Sequence, residues 1–219
     1  MCIRDRFPGS FLFSMVYPSA IFVAASVWAF VFVEERHDVA AGVATIGAVM
    51  VRPNGFVVAI ALAFAVGWAW RRVWVVCAPS AVFFLGWCLY NLDRTGDALT
   101  FWNAKSGWPE VTAADFVNKL HKYAIPHLVL ALAAVAAVVV VWRKLPRSWL
   151  VLTALYLIPP LFIGIVGLGR YATECFPPFV AAGELLARMR RGTMVALFGA
   201  SILAEAACAY WVVYSKWLP

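Results

Sequence analysis

Long apolar runs separated by short polar stretches make up most of the chain. Eight such runs cover approximately residues 11–33, 39–50, 56–70, 73–90, 124–142, 149–168, 177–187 and 194–214. Several approach the roughly 20 residues that a helix needs to cross a bilayer core of about 30 Å. Because a backbone inside lipid must satisfy its own hydrogen bonds, each run is predicted to be a helix. The pattern therefore predicts an all-α, polytopic membrane protein with about eight hydrophobic helices.

Two of the runs are short for a bilayer. At 1.5 Å per residue, run 39–50 would extend about 18 Å, and run 177–187 would be shorter still. Either the polar corners next to these runs dip below the membrane surface, or the two helices span it only in part. No internal repeat or low-complexity linker interrupts the series, which favours a single domain.

Composition and charge agree with a membrane protein. The chain is 64% hydrophobic and only 13% charged, which is too apolar for a soluble domain of 219 residues. Its net charge of +7 comes largely from short clusters between the runs rather than from a nucleic-acid-binding surface: Arg71-Arg72, Arg143-Lys144 with Arg147, and Arg188 with Arg190-Arg191. Cytoplasmic loops have this composition. With these clusters inside, the loop 91–123 lies outside, together with Tyr17 and the corners 51–55 and 167–171.

Two arginines on this outer face are candidates for chemistry. Arg52 precedes Pro53, which disfavours helix at the residue before it, and Asn54-Gly55 is a turn pair. A guanidinium held there matches phosphate oxygens bidentately, although an arginine that snorkels to the head groups would have the same pattern. Arg170, followed by Tyr171, departs from the basic-inside pattern and has the same two interpretations.

The outer loop and the last run contain further polar candidates. Asp97 follows Gly96 and could contribute to a site or simply cap a helix. Trp102 and Trp108 could stack on sugars or lie in an interfacial aromatic belt. Glu205, in the middle of the last run, is a functional candidate by its depth, but a hydrogen-bonded packing role is favoured.

The cysteines and histidines show no ligand pattern. Their spacing includes no C-x-x-C motif, so small buried cysteines are expected rather than a disulfide framework or a metal site. They are Cys2, Cys77, Cys88, Cys175, Cys208, His121, His127 and His37. No cofactor is indicated, and a divalent metal stays open.

The first six residues join poorly to the apolar sequence after them. Met1–Arg6 resembles a translated sequencing adapter of the kind that precedes predicted proteins from metagenomic assemblies, and it is left out of the fold. A signal peptide is the alternative, but the run 11–33 is too long for one and more runs come after it. The predicted organisation is an artefactual leader at 1–6 and one transmembrane domain at 7–219, with the outer loop at 91–123.

Four stretches in order carry a family resemblance. They are "FPGSFLFSMVYPSAIFVAASVWAF", "GVATIGAVMVRPNG", "RTGDALTFWNAKSGW" and "GRYATECFPPFVAAGELL". Together they resemble the PIG-V-like mannosyltransferases, the family of the enzyme that adds the second mannose to GPI anchors. The chain departs from the family pattern in three places: Pro18-Ser19 replaces a Glu-Ser pair, Ala98 replaces a proline, and Asn103 or Lys105 stands at a glutamine position.

The resemblance implies a GT-C glycosyltransferase fold and an inverting transfer of mannose. The donor would be polyprenyl- or dolichyl-phosphate mannose, the acceptor a lipid or glycan, and the working face periplasmic or lumenal. This places the protein in a bacterial plasma membrane, or in the ER membrane of a eukaryote. Arg52 and Arg170 would contact the donor phosphate, and the cavity or loop residues would be Tyr17, Asn54, Asp97, Trp108 and Tyr171.

The resemblance also implies that the catalytic residue lies elsewhere. In the family the base is a carboxylate in an outer loop upstream of the FP…Y helix, with which this chain begins. The chain is therefore expected to be a fragment that is inactive alone. The alternatives are another GT-C transferase of cell-wall glycan synthesis, a fragment of a secondary transporter, and a non-catalytic membrane subunit.

Overall fold

The computed structural model describes residues 18–67, 69–103, 125–163 and 168–214. Within these ranges all the regular elements are helices and no strand is found, so the all-α prediction is confirmed there. Two are single 3₁₀ turns, Pro53–Gly55 and Trp142–Lys144. The α-helices are α1 (Ser19–Glu34), α2 (Asp38–Val51), α3 (Phe56–Ala65), α4 (Trp70–Thr95), α5 (Thr100–Asn103), α6 (Ile125–Val141), α7 (Arg147–Ile163), α8 (Leu168–Glu174), α9 (Pro177–Leu186) and α10 (Arg191–Tyr214).

The chain divides into two compact units. Unit A is formed by residues 24–125, and unit B by residues 1–23 together with 126–219. Helix α1 begins in unit B and continues in unit A. The single-domain prediction stays a prediction.

In unit A, helices α2 and α4 run side by side in the same direction, and α3 runs antiparallel to both. Near one end of α4, a Cβ added to Gly42 of α2 would lie 2.6 Å from the carbonyl oxygen of Val75, so the two backbones are in close contact. Farther along, the Cys77 thiol of α4 donates to the carbonyl of Ala59 in α3 at 3.2 Å. The rings of Phe56 and Phe84 then meet at 6.0 Å. The order of these contacts along α4 gives the direction in which each neighbouring helix runs.

An ion pair joins the starts of α2 and α4. The Arg72 guanidinium donates to both oxygens of Asp38, at 2.6 to 3.0 Å, and to the carbonyl of Val33 at 3.0 Å. The polar corner after α1 and the basic corner before α4 therefore meet.

Helix α4 is long and apolar enough to cross a membrane. It has 26 residues, and only 11% of its most apolar window is buried. Trp74, Val82, Leu85 and Leu89 are each more than half exposed. A core helix of a soluble protein would bury such side chains, whereas lipid contact leaves them outside the protein interior. Among the described helices, α4 alone is both long enough and apolar enough to span a membrane.

Unit B is built around helices α6 to α9. Ala131, Ala134 and Leu157 pack with Leu168 and Ala172, so α8 lies against α6 and α7. A second cluster joins α6 to α9, and its buried members are Val138, Val141 and Ala181. Small side chains at these contacts allow the helix backbones to approach closely.

Three predicted boundaries are wrong. The run 56–70 does not form one helix, because α3 ends at Ala65 and the chain turns at Gly67, whose φ is +67°. The loop predicted at 91–123 begins at Gly96, because α4 continues through four polar or charged positions to Thr95. The corner predicted at 167–171 is largely helical, since α8 starts at Leu168. A helix can continue beyond its apolar run, so hydropathy alone does not locate its end.

Candidate functional site

The turn that holds Arg52 is compact. Arg52 has extended backbone at φ −147° and ψ 132°, and its amide donates to the carbonyl of Ala48 at 3.2 Å. Its own carbonyl accepts the amide of Gly55 at 2.8 Å, across the 3₁₀ turn that Pro53 starts. A Cβ at Gly55 would lie 2.4 Å from the carbonyl oxygen of Ala48. The turn thus folds back onto the end of α2, and only glycine fits where it does so.

Arg52 is buried in this turn, with 8% of its surface exposed, and Asn54 beside it is partly buried. The turn lies near the level of Phe84 on α4, since Phe56 follows the turn directly and packs on that ring. Helix α4 continues from Phe84 for about 10 Å before its first polar residue, Asn91. Arg52 is therefore positioned well inside the length of the apolar helix rather than at its polar end.

Asp97 organises the segment that follows α4. Gly96, with φ +75°, ends α4 in the left-handed conformation that glycine favours. The Asp97 carboxylate then accepts the amide of Leu99 at 2.8 Å and the side-chain amide of Asn103 at 2.7 Å. These bonds are local to residues 97–103. The carboxylate thus binds the residue before α5 and the last residue of α5, and both interpretations of Asp97 stay open.

Arg170 and Tyr171 lie together on α8. The Arg170 guanidinium carbon is 5.7 Å from the centre of the Tyr171 ring. Tyr171 in turn meets Tyr156 of α7 edge to face at 5.5 Å. Both Arg170 and Tyr171 are partly buried. Arg170 therefore lies on a short helix, and the neighbouring Tyr171 packs that helix against α7.

Glu174, one turn after Arg170 on α8, was not predicted as a site residue. It is 1% exposed, and each of its carboxylate oxygens accepts a hydroxyl, Oε1 from Ser19 and Oε2 from Tyr156 at 2.8 Å. Phe22 stacks on Tyr156 at 5.4 Å. These contacts tie α8 to the start of α1 and to α7. The signal that could have found it is an acid inside the quoted stretch "GRYATECFPPFVAAGELL".

The structure brings some predicted residues together and not others. Arg52 and Asn54 share one turn in unit A, and Arg170 and Tyr171 share one helix in unit B. Asp97 belongs to a separate stretch of unit A after α4. Tyr17 and Trp108 lie outside the described residues, and so does the side chain of Glu205.

Within the described ranges no three His, Cys, Asp or Glu side chains gather in a way that could hold a metal ion. The divalent metal that the sequence left open therefore has no ligand set in this part of the chain. Cys77, Cys88 and Cys175 are free thiols, and Cys175 is buried beside the Thr153 hydroxyl at 3.9 Å.

Comparison with known proteins adds no relative. No protein-family model matches the chain, and neither a curated protein nor a solved structure is significantly similar to it.

Proposed function

We propose that this chain carries the membrane-embedded donor region of a multi-pass GT-C glycosyltransferase, which transfers mannose from a polyprenyl- or dolichyl-phosphate donor to a lipid or glycan acceptor. The reaction would take place on the non-cytoplasmic face of the membrane. The four quoted motifs and their order support the family. The observation that carries the proposal is the position of Arg52 along the apolar length of α4.

Arg52 is buried, and the proposal puts it at membrane depth. A cation away from the aqueous surface is costly, and such residues commonly mark substrate or ion sites. Helix α4 reaches from Arg72 to Asn91 over about 28 Å, close to the thickness of a bilayer core. On that scale the Arg52 turn lies about 10 Å below the end of α4 near Asn91. A polyprenyl phosphate, whose anionic group enters from the membrane, is a ligand that would meet a guanidinium there.

The rigidity of the turn suits that role. Pro53 and the close approach of Gly55 to Ala48 hold the backbone, so the segment that carries the guanidinium is ordered before the donor arrives. Because a planar guanidinium can donate two parallel hydrogen bonds to a phosphate, Arg52 would stabilise the lipid phosphate as it departs from the sugar. Asn54, partly buried in the same turn, is proposed to line the donor site beside Arg52.

Arg170 is the second candidate for the phosphate. Its helix α8 is anchored by Glu174 through hydroxyl groups from α1 and α7, so that helix is not a free surface segment. Tyr171 packs edge to face on Tyr156 of the same unit and is the cavity or loop residue proposed beside Arg170. Tyr17, Asp97 and Trp108 keep their proposed roles, Tyr17 in the cavity and the other two in ordering the loop over the sugar or acceptor.

The test is binding of polyprenyl phosphate to the purified chain in detergent. Wild type should be stabilised against thermal unfolding by the lipid phosphate more than by the matching polyprenol. Arg52→Gln and Arg170→Gln should each weaken the apparent affinity by at least tenfold, the loss of about 1.5 to 3 kcal/mol expected for a hydrogen bond to a charged group. Arg71→Gln is the matched control, since it removes an exposed arginine at the start of α4.

A second arm tests the sugar. A longer homologue that is active should lose mannosyl transfer as Arg52→Ala or Arg170→Ala while it is still inserted in the membrane. Unchanged turnover in both variants would remove the phosphate assignment. Equal stabilisation by polyprenol and polyprenyl phosphate would contradict a donor site in this chain. Selective use of another polyprenyl-phosphate sugar would keep the GT-C fold and replace mannose.

A further inference from the structure

A cavity of about 350 Å³ opens at the basic end of α6. It is lined by Val140, Val141, Trp142, Arg143, Lys144 and Arg188. All six belong to unit B, on α6, the 3₁₀ turn after it and the turn after α9. The lining therefore changes from apolar to cationic over one turn of backbone.

The cations of this cavity are held in place. Glu184 accepts from Lys144 at 2.6 Å and from Arg188 at 2.8 Å, so one carboxylate binds two cations that lie far apart in the chain. Arg143 lies over the Trp142 ring, 5.5 Å from its centre. With three cations and one carboxylate, the cluster keeps a formal charge of +2. These side chains are about half exposed, so they remain accessible to an anionic ligand.

The apolar half of the lining points to a particular kind of anion. Val140 and Trp142 are 66% and 53% exposed at the end of an apolar helix of 17 residues. Tryptophan at such a position is typical of the boundary between head groups and acyl chains. A soluble anion would use the cations and leave this apolar wall in contact with water. A phospholipid uses both, with its acyl chains along α6 and its phosphate at the guanidinium and ammonium groups.

We propose that this cavity binds an anionic phospholipid, with its phosphate against Arg143, Lys144 and Arg188 and its acyl chains along the Val140 side of α6. Basic pockets of this kind at the membrane boundary recognise anionic lipids, and each Lys or Arg near the surface contributes about 1 kcal/mol, or about fivefold in affinity. The proposal depends on membrane insertion and not on the transferase reaction. Glu184 is assigned the role of holding Lys144 and Arg188 in place.

The experiment measures lipid binding to the full purified chain by native mass spectrometry. Phosphatidylglycerol and phosphatidylcholine with the same acyl chains are the probes. Wild type should prefer phosphatidylglycerol by at least tenfold. In Arg143→Gln/Lys144→Gln, which leaves Glu184 paired with Arg188, the preference should fall to about parity. Arg71→Gln/Arg190→Gln is the control, because it removes the same charge at exposed positions outside the cavity.

Three outcomes would overturn the proposal. One is the absence of a preference in wild type. Another is an equal loss in the cavity variant and the control, which would mean uniform surface charge. The third is displacement of bound phosphatidylglycerol by millimolar inorganic phosphate, which would mean a site for soluble anions. Thermal unfolding in phosphatidylcholine checks that the variants fold. If the double variant does not, the single Arg143→Gln variant, whose expected loss is about fivefold, replaces it.

Discussion

An arginine lies at each end of α2, and the two are held in different ways. At the start of the helix, Arg72 reaches over from α4 and binds Asp38 and the carbonyl of Val33. At its end, Arg52 lies in the backbone turn that Pro53 and Gly55 form. The first arginine is partly exposed at a polar corner, and the second is buried along the apolar length of α4.

The difference shows what each cation contributes. Arg72 joins two helices, and the opposite charge of Asp38 offsets the cost of removing it from water. The side chains of Arg72 and Asp38 that form this contact are 34 residues apart in the sequence. The backbone position of Arg52 is determined by a four-residue turn, and the arginine is buried there. Arg72 therefore acts as a clamp that joins α2 to α4. Arg52 is proposed to bind an anion.

Gly55→Ala tests the turn and should have the largest effect. The new Cβ would lie 2.4 Å from the carbonyl oxygen of Ala48, so the backbone must shift. We expect a loss of about 2–4 kcal/mol in the free energy of unfolding, measured by thermal or denaturant unfolding in detergent. Gly86→Ala in α4 is the control, since nothing lies within 4 Å of its added Cβ. Equal stability of both variants would mean that the turn does not need glycine.

Arg72→Gln tests the clamp. The substitution leaves Asp38 without its charged donor, and we expect a loss of about 2 kcal/mol. The exposed neighbour in Arg71→Gln should change stability by no more than about 0.5 kcal/mol. A double-mutant cycle with Asp38→Asn should return a coupling of about 1–2 kcal/mol. A coupling near zero would show that the ion pair does not hold α2 and α4 together.

The clamp should also respond to acid. Hydrogen bonds from Arg72, reinforced by its charge, hold the pKa of Asp38 below the ordinary value of 3.8. A lowered folded-state pKa stabilises the protein above the unfolded-state value and loses that contribution as pH falls through the folded-state pKa. We expect the melting temperature of wild type to fall below about pH 4 by more than that of Asp38→Asn. Parallel pH profiles for the two proteins would contradict the assignment.

Asp97→Ala should have the smallest effect, because both hydrogen bonds that its carboxylate accepts stay within residues 97–103. We expect a local loss of about 0.5 to 1 kcal/mol, seen as faster hydrogen exchange at the Leu99 amide. The exposed Asp93→Ala at the end of α4 serves as the comparison. Unchanged exchange at Leu99 would remove the capping role.

Much of the helical layout could be predicted, because long apolar runs favour helices, which satisfy their own backbone hydrogen bonds. Runs 39–50 and 177–187 correspond within a few residues to α2 and α9. The "RPNG" turn could be predicted because proline and glycine act locally. The end of α4 could not, since four polar or charged residues extend it by helix hydrogen bonds that hydropathy does not describe.

The buried partners could not be predicted for a different reason. Glu174 meets Ser19 across 155 positions of sequence, and nothing local to either residue indicates the other. The same holds for Lys144 and Glu184, which are 40 positions apart. Glu205 is the acid that the hydropathy pattern marks as buried, because a long apolar run surrounds it. Glu174 follows charged and polar residues, so the same pattern does not indicate its burial.

The sequence by itself determined which segments are helical, where the basic corners lie and which arginines interrupt apolar runs, because hydrophobic length, proline and charge act within a few residues. Only the tertiary structure decided that Arg72 clamps Asp38, that Arg52 is buried partway along α4, that Glu174 anchors α8, and that Arg143, Lys144 and Arg188 surround one cavity. These facts depend on how helices pack. Packing sets the depth of a side chain and brings together charges that are distant in the chain.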